Sequence, residues 1–505
     1  MKPQLNNQKY KYLNINLNEI IGIYHYLKIK IQKKIRNKKW NDALTLIEFA
    51  AKLANKFNWI YYDAELEKNL RIISNNLISN NSLMPIKNRI IFYDSWGIAN
   101  RGLTLQYLNS LKYSYFDVLI ILENGNLEQT LEIRDLFKDN KKFEFYSLKN
   151  DSKIKQIEML NKKINEFNPE ILIMHISPWA VEALTVFYSL KNVTKYLINL
   201  TDHAFWLGSE CLDFSLEFRD YGYTVSLEKR NIDASKICSS PYYPILVEKQ
   251  FRGLPIENKD KVVILAGSSY YKIYGRNQAF FKIIYRLLND NPELIILFAG
   301  NGDGRILRNF IKNSGFSDRL YLLGTRDDIG ETFDHCDIYL STYPISGGLM
   351  AQIAAIKSKP ILSYTKNDIQ TNMIDDLIGY NKKVEVSFVS ETLFYDYATK
   401  LIKDKNFRIK CGQALKEAMI TPEQFNENFI KILDKKNITH NFSKIKINYP
   451  VITDLFLEIE NDYQDHFKRI FFKFFRLSSF WLFPFVSIKS FPALIRIMTK
   501  SSSIR

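Results

Sequence analysis

The feature that most constrains this chain is a change of hydrophobic period that occurs twice. From Arg89 onward, short apolar runs alternate with amphipathic helical patterns. The runs are Arg89–Asp94, Phe116–Leu122, Phe143–Leu148, Glu170–His175 and Lys195–Asn199, with helical spacing through Leu103–Leu111, Leu127–Phe137 and Lys153–Phe167. A second series starts near Lys261. Its runs are Val262–Ala266, Leu294–Ala299, Leu320–Leu323, Asp337–Leu340 and Pro360–Ser363, with helices around Asn277–Leu288, Arg305–Asn313, Asp327–His335 and Gly348–Ile356. Short apolar runs between amphipathic helices read as strands of a parallel sheet covered on both faces. Two series predict two tandem Rossmann-like α/β domains, joined by a linker through Ser240–Pro255. Folds of this class bind ligands at the C-terminal edges of their strands.

The flanks differ from the body. From Trp40, the residues Ala43, Leu44, Ile47, Ala51 and Ala54 share one helical face. The pattern resembles one tetratricopeptide-type helix pair, and a lone repeat cannot bury its own face. Residues 1–84 are therefore expected to be a helical extension packed on the next domain. Charge is concentrated at the ends. The net charge is +16, of which residues 1–40 carry +9 (ten Lys/Arg against Glu19) and residues 466–505 carry +8 (eight Lys/Arg, no acid), which leaves the body at 16 − 17 = −1. A nucleic-acid enzyme would spread basic charge along the folded body, so no nucleic-acid partner is expected. Basic ends on a neutral body fit an anionic membrane surface.

No run reaches the ~18 apolar residues of a spanning helix. The polar start, Met1-Lys2-Pro3-Gln4, predicts no secretory leader. Four scattered cysteines, Cys211, Cys238, Cys336 and Cys411, form no CxxC pair, so a reducing cytoplasm is expected. In the tail, Phe467–Arg476 alternates basic and aromatic residues, and Leu477–Ile488 is uncharged and broken by Pro484. That is too short to cross a bilayer but suited to lie in its interface. Residues 452–466 are expected to supply a helix for the body and to leave the aromatic tail spare.

Three glycine-rich segments follow strands of the second series: Ala266-Gly267-Ser268-Ser269 with Lys272 and Arg276 after it, Ala299-Gly300-Asn301-Gly302-Asp303-Gly304, and Thr342-Tyr343 through Ser346-Gly347-Gly348-Leu349. Glycine there lets backbone approach a ligand, and N–H groups at a helix start suit a phosphate. Each one alone is also an ordinary tight turn. None is a Walker A loop, and the GxGxxG spacing is missing.

These segments, with Leu323-Gly324, Asp337–Pro344 and Lys359-Pro360-Ile361-Leu362, resemble the donor-binding half of a GT-B glycosyltransferase over about 180 residues. The resemblance implies a nucleotide-sugar donor, bound as substrate rather than cofactor and without a metal ion, since no DxD lies in a suitable loop. It places the donor on Gly267, Ser268, Lys272, Arg276, Gly300, Asn301, Gly302, Tyr343, Ser346, Gly347, Gly348, Leu349 and Gln352, with Arg276 against a phosphate. Many retaining members carry two glutamates eight residues apart around the last loop. The matching positions here hold Ile345 and Ile353, and Gln352 is the nearest polar residue. The expectation is an inverting enzyme, which needs a base for the acceptor hydroxyl.

In the first series, Asp202-His203 follows a strand and sets a carboxylate beside an imidazole. His203 is the candidate base with Asp202 as its partner, and His175, at another strand end, is the rival. Glu217–Asp220 and Ser226–Arg230 read as acceptor contacts or as surface ion pairs, and Asn100-Arg101-Gly102 as a further contact to donor or acceptor. The expected domains are 1–84, 85–250 for the acceptor side, 251–440 for the donor side, and 441–505 for a helix and membrane-contact tail. The expected function is sugar transfer to a hydroxyl of a surface glycan or glycolipid at the inner face of a membrane. The alternatives are a nucleotide-sugar epimerase on the same scaffold and a non-catalytic sugar-nucleotide-binding scaffold.

Overall fold

The computed structural model describes residues 14–78, 83–96, 103–123, 131–256, 261–435, 442–463, 471–472 and 474–501. The chain divides into two compact units. One holds Tyr24–Val247 and Ile420–Lys446; the other holds residues up to Ile23, Glu248–Met419 and Ile447 onward.

The first unit is built on a parallel sheet of seven strands: β1 (Ile86–Asp94), β2 (Asp117–Leu122), β3 (Phe143–Ser147), β4 (Pro169–His175), β5 (Thr194–Ile198), β6 (Phe214–Glu217) and β7 (Ile237–Ser239). Their order is β3-β2-β1-β4-β5-β6-β7. β1 and β4 lie at the centre, and Ile90–Asp94 and Ile171–His175 are buried on both faces, which is why they read as unbroken apolar runs. β6 and β7 escape the apolar-run pattern because they are short and carry Ser and Glu. The helix expected over Leu127–Phe137 appears as Leu131–Asp135; residues 124–130 lie outside the described residues.

The N-terminal helices Trp40–Phe57 and Ala64–Leu77 pack on Lys153–Phe167 and Val181–Phe187. The face predicted from Trp40 onward is the buried one, with Ala43, Leu44, Ile47, Ala51 and Ala54 fully covered. These helices belong to the first unit and pack on its helices. The helix Pro422–Lys435, expected inside the 251–440 domain, also packs in this unit, against Leu103–Lys112. The reason is aromatic: the Phe425 and Phe429 rings lie 5.4 and 5.0 Å from Tyr107, and the Tyr196 hydroxyl donates to the Ile432 carbonyl at 3.2 Å.

The second unit carries β8 (Val262–Gly267), β9 (Leu294–Ala299), β10 (Leu320–Gly324), β11 (Ile338–Leu340), β12 (Ile361–Tyr364) and β13 (Ser387–Phe388), all parallel, in the order β10-β9-β8-β11-β12-β13. One apolar cluster fills one side of this sheet. It joins Ile264, Phe280, Ile284 and Phe298 to Ile452, Leu455 and Ile459 of the helix Tyr449–Asp462, which serves the body as expected. The aromatic tail, however, is not all spare. Phe471, Phe472 and Phe475 are buried, and the Phe475 ring meets Phe483 edge to face at 5.2 Å. Residues 464–470 and 473, which include three of the four basic residues of Phe467–Arg476, lie outside the described residues.

If the returning helix is integral to the first unit, Phe429→Ala should open a cavity against Tyr107 and cost about 3–5 kcal/mol. Thermal unfolding would show a clear fall in Tm; an unchanged Tm would make the helix a loosely docked appendage.

Candidate functional site

In the second unit, β9, β8 and β11 are neighbours, so the three glycine-rich turns leave adjacent strands at one sheet edge. They pack on each other. A Cβ on Gly300 would overlap the Ser268 carbonyl oxygen, and the Tyr339 hydroxyl lies 3.4 Å from the Gly267 carbonyl and 3.3 Å from that of Gly347. Glycine is thus required at Gly300 by backbone meeting backbone, whatever else the loop binds. Gly302, at φ +111°, would push a side chain into the Tyr463 hydroxyl. Gly347 precedes the helix Gly348–Ile356, whose first turn has no side-chain cap among the described residues. Its N–H groups therefore suit an anion.

The expected donor residues divide by burial. Asn301 and Gly302 are exposed, and Gly348 and Leu349 half-buried, whereas Gly267, Ser268, Tyr343, Ser346 and Gly347 are buried. Lys272 spans two loops: its ammonium donates to the Ser346 carbonyl at 2.9 Å. Gln352 is buried, and its amide donates to the Leu377 carbonyl at 3.3 Å, so it anchors the helix Gly348–Ile356 to the next segment. Ile345 and Ile353 are core side chains. Burial pushes the Tyr343 hydroxyl up to about 12, against the nearby Arg276 charge.

Arg276 stands out. It begins a run of three left-handed residues, Arg276 (φ +50°), Asn277 (+52°) and Gln278 (+56°), a conformation non-glycine residues seldom adopt. Its guanidinium is held only at 3.9–4.0 Å by Asp368 and Glu458, and its buried Nε and Nη2 find no hydrogen-bond partner among the described residues. Buried donors left over on a cation call for an anion.

In the first unit, Asp202 and His203 follow β5. His203 Nδ1 lies 3.1 Å from Asp202 Oδ1; Asp202 is 1% exposed and His203 23%, so the dyad shows solvent its imidazole only. Burial acts to raise the Asp202 carboxyl, but the Arg219 guanidinium, bonded to it through Nε and Nη2, overrides that and holds it well below the usual carboxylate range. His175 ends β4, fully buried, with Nδ1 3.4 Å from Asp94 Oδ1 and 3.3 Å from Thr104 Oγ1. A crevice lined by Ser177, Asn199, Thr201 and Trp206 encloses about 10 Å³, room for one water. A larger hollow of about 720 Å³, lined by Lys191 to Lys195, Asp213 and Lys236, lies at the opposite edge, by the starts of β5 and β6.

The charged segments read as acceptor contacts or surface pairs divide: Glu228 and Lys229 are exposed, with Glu228 paired to Lys444 at 2.8 Å, and the rest of the charge is mostly buried. Glu217, Arg219 and Arg230 are buried. Glu217 accepts from Asn199, Ser215 and Ser226. Arg230 donates to the carbonyls of Asp202 and Ala204 at 2.8 Å, with Trp206 and Tyr61 rings about its guanidinium. Asn100-Arg101-Gly102 lies outside the described residues.

Sequence reading missed the loop's outer brace. Asn58, left-handed at φ +49° and capping the helix Trp40–Phe57, donates to the His203 carbonyl at 2.8 Å, and Asn55 donates to that of Phe205 at 2.9 Å. Glu67, fully buried, accepts from the Gly208 N–H at 2.7 Å and from the Tyr188 hydroxyl. The only sequence signal is polar residues on a helix otherwise reading as apolar.

No protein-family model and no curated protein matches this sequence. Solved structures do. An O-GlcNAc transferase variant from Thermobaculum terrenum aligns at a TM-score of 0.50 and 12% identity, over 82% of this chain and 84% of that one. HepE from Anabaena in complex with UDP and glucose aligns at 0.51 and 14%, over 69% and 99%. TarM from S. aureus, solved with UDP and other ligands, aligns at 0.50 and 10%, over 69% and 100%. The fold they share with this chain is that of the GT-B glycosyltransferases.

The buried carboxyl of Glu67 gives a pH test of the brace. Burial raises it to about 7, against the pull of Tyr188 and Gly208. A carboxyl raised on folding contributes stability that is complete below its unfolded value and lost as pH rises through its folded one. Wild type should therefore lose Tm as pH rises from about 4.5 through about 7 from this group, and Glu67→Gln should lose several °C less over that interval. Equal pH dependence in the two proteins would mean that Glu67 is ionised throughout.

Proposed function

Starting from the GT-B fold, we propose that this protein is a glycosyltransferase that moves a sugar from a nucleoside-diphosphate donor to a hydroxyl of a glycan or glycolipid, with inversion and without a metal ion, on the cytoplasmic face of an anionic membrane. The observation that carries the donor reading is the convergence of three strand-to-helix turns at one edge of the second sheet, beside a guanidinium with unused donors. UDP, present in the HepE and TarM structures, is the natural first probe. The basic tail on a neutral body supports the membrane surface.

The chemistry is a single displacement. The acceptor oxygen forms a bond to the anomeric carbon, the bond from that carbon to the diphosphate breaks, and the diphosphate leaves with the electron pair. Arg276 and the N–H groups of Gly348 and Leu349 offset the charge that grows on the leaving group. The acceptor proton goes to His203 Nε2. Asp202 fixes the ring by accepting at Nδ1, and Arg219 and Arg230 fix Asp202 and its loop. His175 is the weaker candidate because its imidazole is wholly enclosed. Inversion is supported by Ile345 and Ile353, core residues at the positions where retaining enzymes place carboxylates.

His203→Ala should lower kcat ~10²–10⁴-fold with donor affinity kept, the usual worth of a general base. A screen of nucleotide sugars for acceptor-dependent release of nucleotide measures it, and full activity would remove the assignment. Arg276→Ala should weaken UDP binding by ~10–150-fold, as loss of a charge-assisted contact worth ~1.5–3 kcal/mol. Calorimetric titration reads it directly; equal affinity would make Arg276 a structural partner of Asp368 and Glu458.

A further inference from the structure

The tail sorts its apolar residues into two populations. Phe471, Phe472, Phe475 and Val486 are buried, together with Ser479, Ser487 and Ser490. The Val486 N–H donates to Glu19 Oε1 at 3.0 Å, and the Lys489 ammonium lies 3.3 Å from Asn14 Oδ1. One side of the helix Pro484–Ser501 is thereby fixed on its own unit. The other side is apolar and open: Phe485 is 59% exposed, Ile488 48%, Phe491 45% and Ile495 47%, at helical spacing. Trp481, 89% exposed, stands on the short preceding helix Ser479–Leu482, separated by the non-helical Phe483, and Leu477, at 81%, lies before it. No helix among the described residues is long and apolar enough to cross a membrane.

We propose that this stripe, Trp481 with Phe485, Ile488, Phe491 and Ile495, is a membrane-docking face that lies in the headgroup layer of an anionic bilayer. The proposal deepens the membrane reading given above and rests on it. Charge complementarity selects the occupant. The segment 466–505 holds eight Lys/Arg and no acidic residue, so an anionic surface attracts it, whereas a second copy would set +8 against +8. Aromatic and aliphatic side chains on one face of a basic helix are what the boundary between headgroups and acyl chains accommodates. The buried phenylalanines are not lipid contacts. Deleting the tail would strip a packed surface as well as an anchor, so the test must change the stripe alone.

The experiment compares full-length wild type with the triple variant Trp481→Ser, Phe485→Ser, Ile488→Ser by flotation with phosphatidylcholine vesicles, with and without phosphatidylglycerol. Wild type should float with the phosphatidylglycerol vesicles and much less with phosphatidylcholine alone. The variant should lose binding by roughly 100-fold or more while its Tm and UDP affinity hold. If wild type floats and a folded variant floats equally, the stripe is not the docking face although the membrane reading stands. If wild type floats with neither vesicle, both fail. If the stripe instead drives self-association, seen as a dimer in sedimentation that the variant abolishes without vesicle binding, the proposal is overturned. Should the variant melt early, wild-type fluorescence decides: phosphatidylglycerol vesicles should shift the emission to the blue in wild type and not in Trp481→Phe, and the same shift in both would overturn the proposal.

Discussion

The constraint on which the rest depends is that the central strands of both sheets are covered on both faces. A strand with no wet face must pair all its backbone polar groups with its neighbours, and its side chains must be apolar throughout. That fixes Ile90–Asp94 and Ile171–His175 in one unit and Val262–Gly267 and Leu294–Ala299 in the other as uninterrupted buried runs. Polar chemistry is displaced to the strand ends. Asp94, His175, Asp202, Ser268 and Thr342 all lie at or just past the C-terminal end of a parallel strand. The candidate site residues lie there because parallel-sheet folds of this kind open their ligand crevice at the carboxyl ends of the strands.

At the edge of the first sheet, the loop after β5 is held by ionised groups rather than by apolar packing alone. Arg219 holds the Asp202 carboxylate, Arg230 gathers the carbonyls of Asp202 and Ala204, and Glu217 satisfies three donors from below. Removing Arg219 would deprive the buried Asp202 carboxylate of its guanidinium, which costs far more than a surface pair, and removing Arg230 would strand the buried carbonyls of Asp202 and Ala204. The N-terminal helices close the same loop from outside through Asn55, Asn58 and Glu67. They are part of the apparatus that fixes His203, which gives a physical reason for a helical layer that the fold's sheets do not require.

At the edge of the second sheet, tight loop packing and an unsatisfied cation coexist. Gly300 and Gly302 are dictated by Ser268 and Tyr463, so glycine there is no evidence of a ligand. Arg276 is different. A left-handed run that includes two side-chain-bearing neighbours is held in place so that a guanidinium with unused donors stays beside Tyr343. This strained run beside well-satisfied loops is the observation on which the proposed donor contact rests.

Much was legible in the sequence because it is a matter of period. The central strands, the helices Lys153–Phe167, Arg305–Ser314 and Gly348–Ile356, and the buried face of Trp40–Phe57 follow from apolar spacing, which burial imposes directly on residue type. The Asp202-His203 pair was legible because its members are neighbours in the chain. What only the tertiary structure decided involves partners far apart in sequence. Helix Pro422–Lys435 joins the first unit because Phe425 and Phe429 fit Tyr107, more than three hundred residues earlier. Arg219 and Arg230 are buried because Asp202, Ala204 and Trp206 meet them there. The tail's phenylalanines divide because Phe471, Phe472 and Phe475 bury themselves against one another and against Phe480 and Phe483, while Phe485 and Phe491 stay exposed on the following helix. Residue type sets which side chains seek burial or charge; only the folded chain brings each one the partner that settles it.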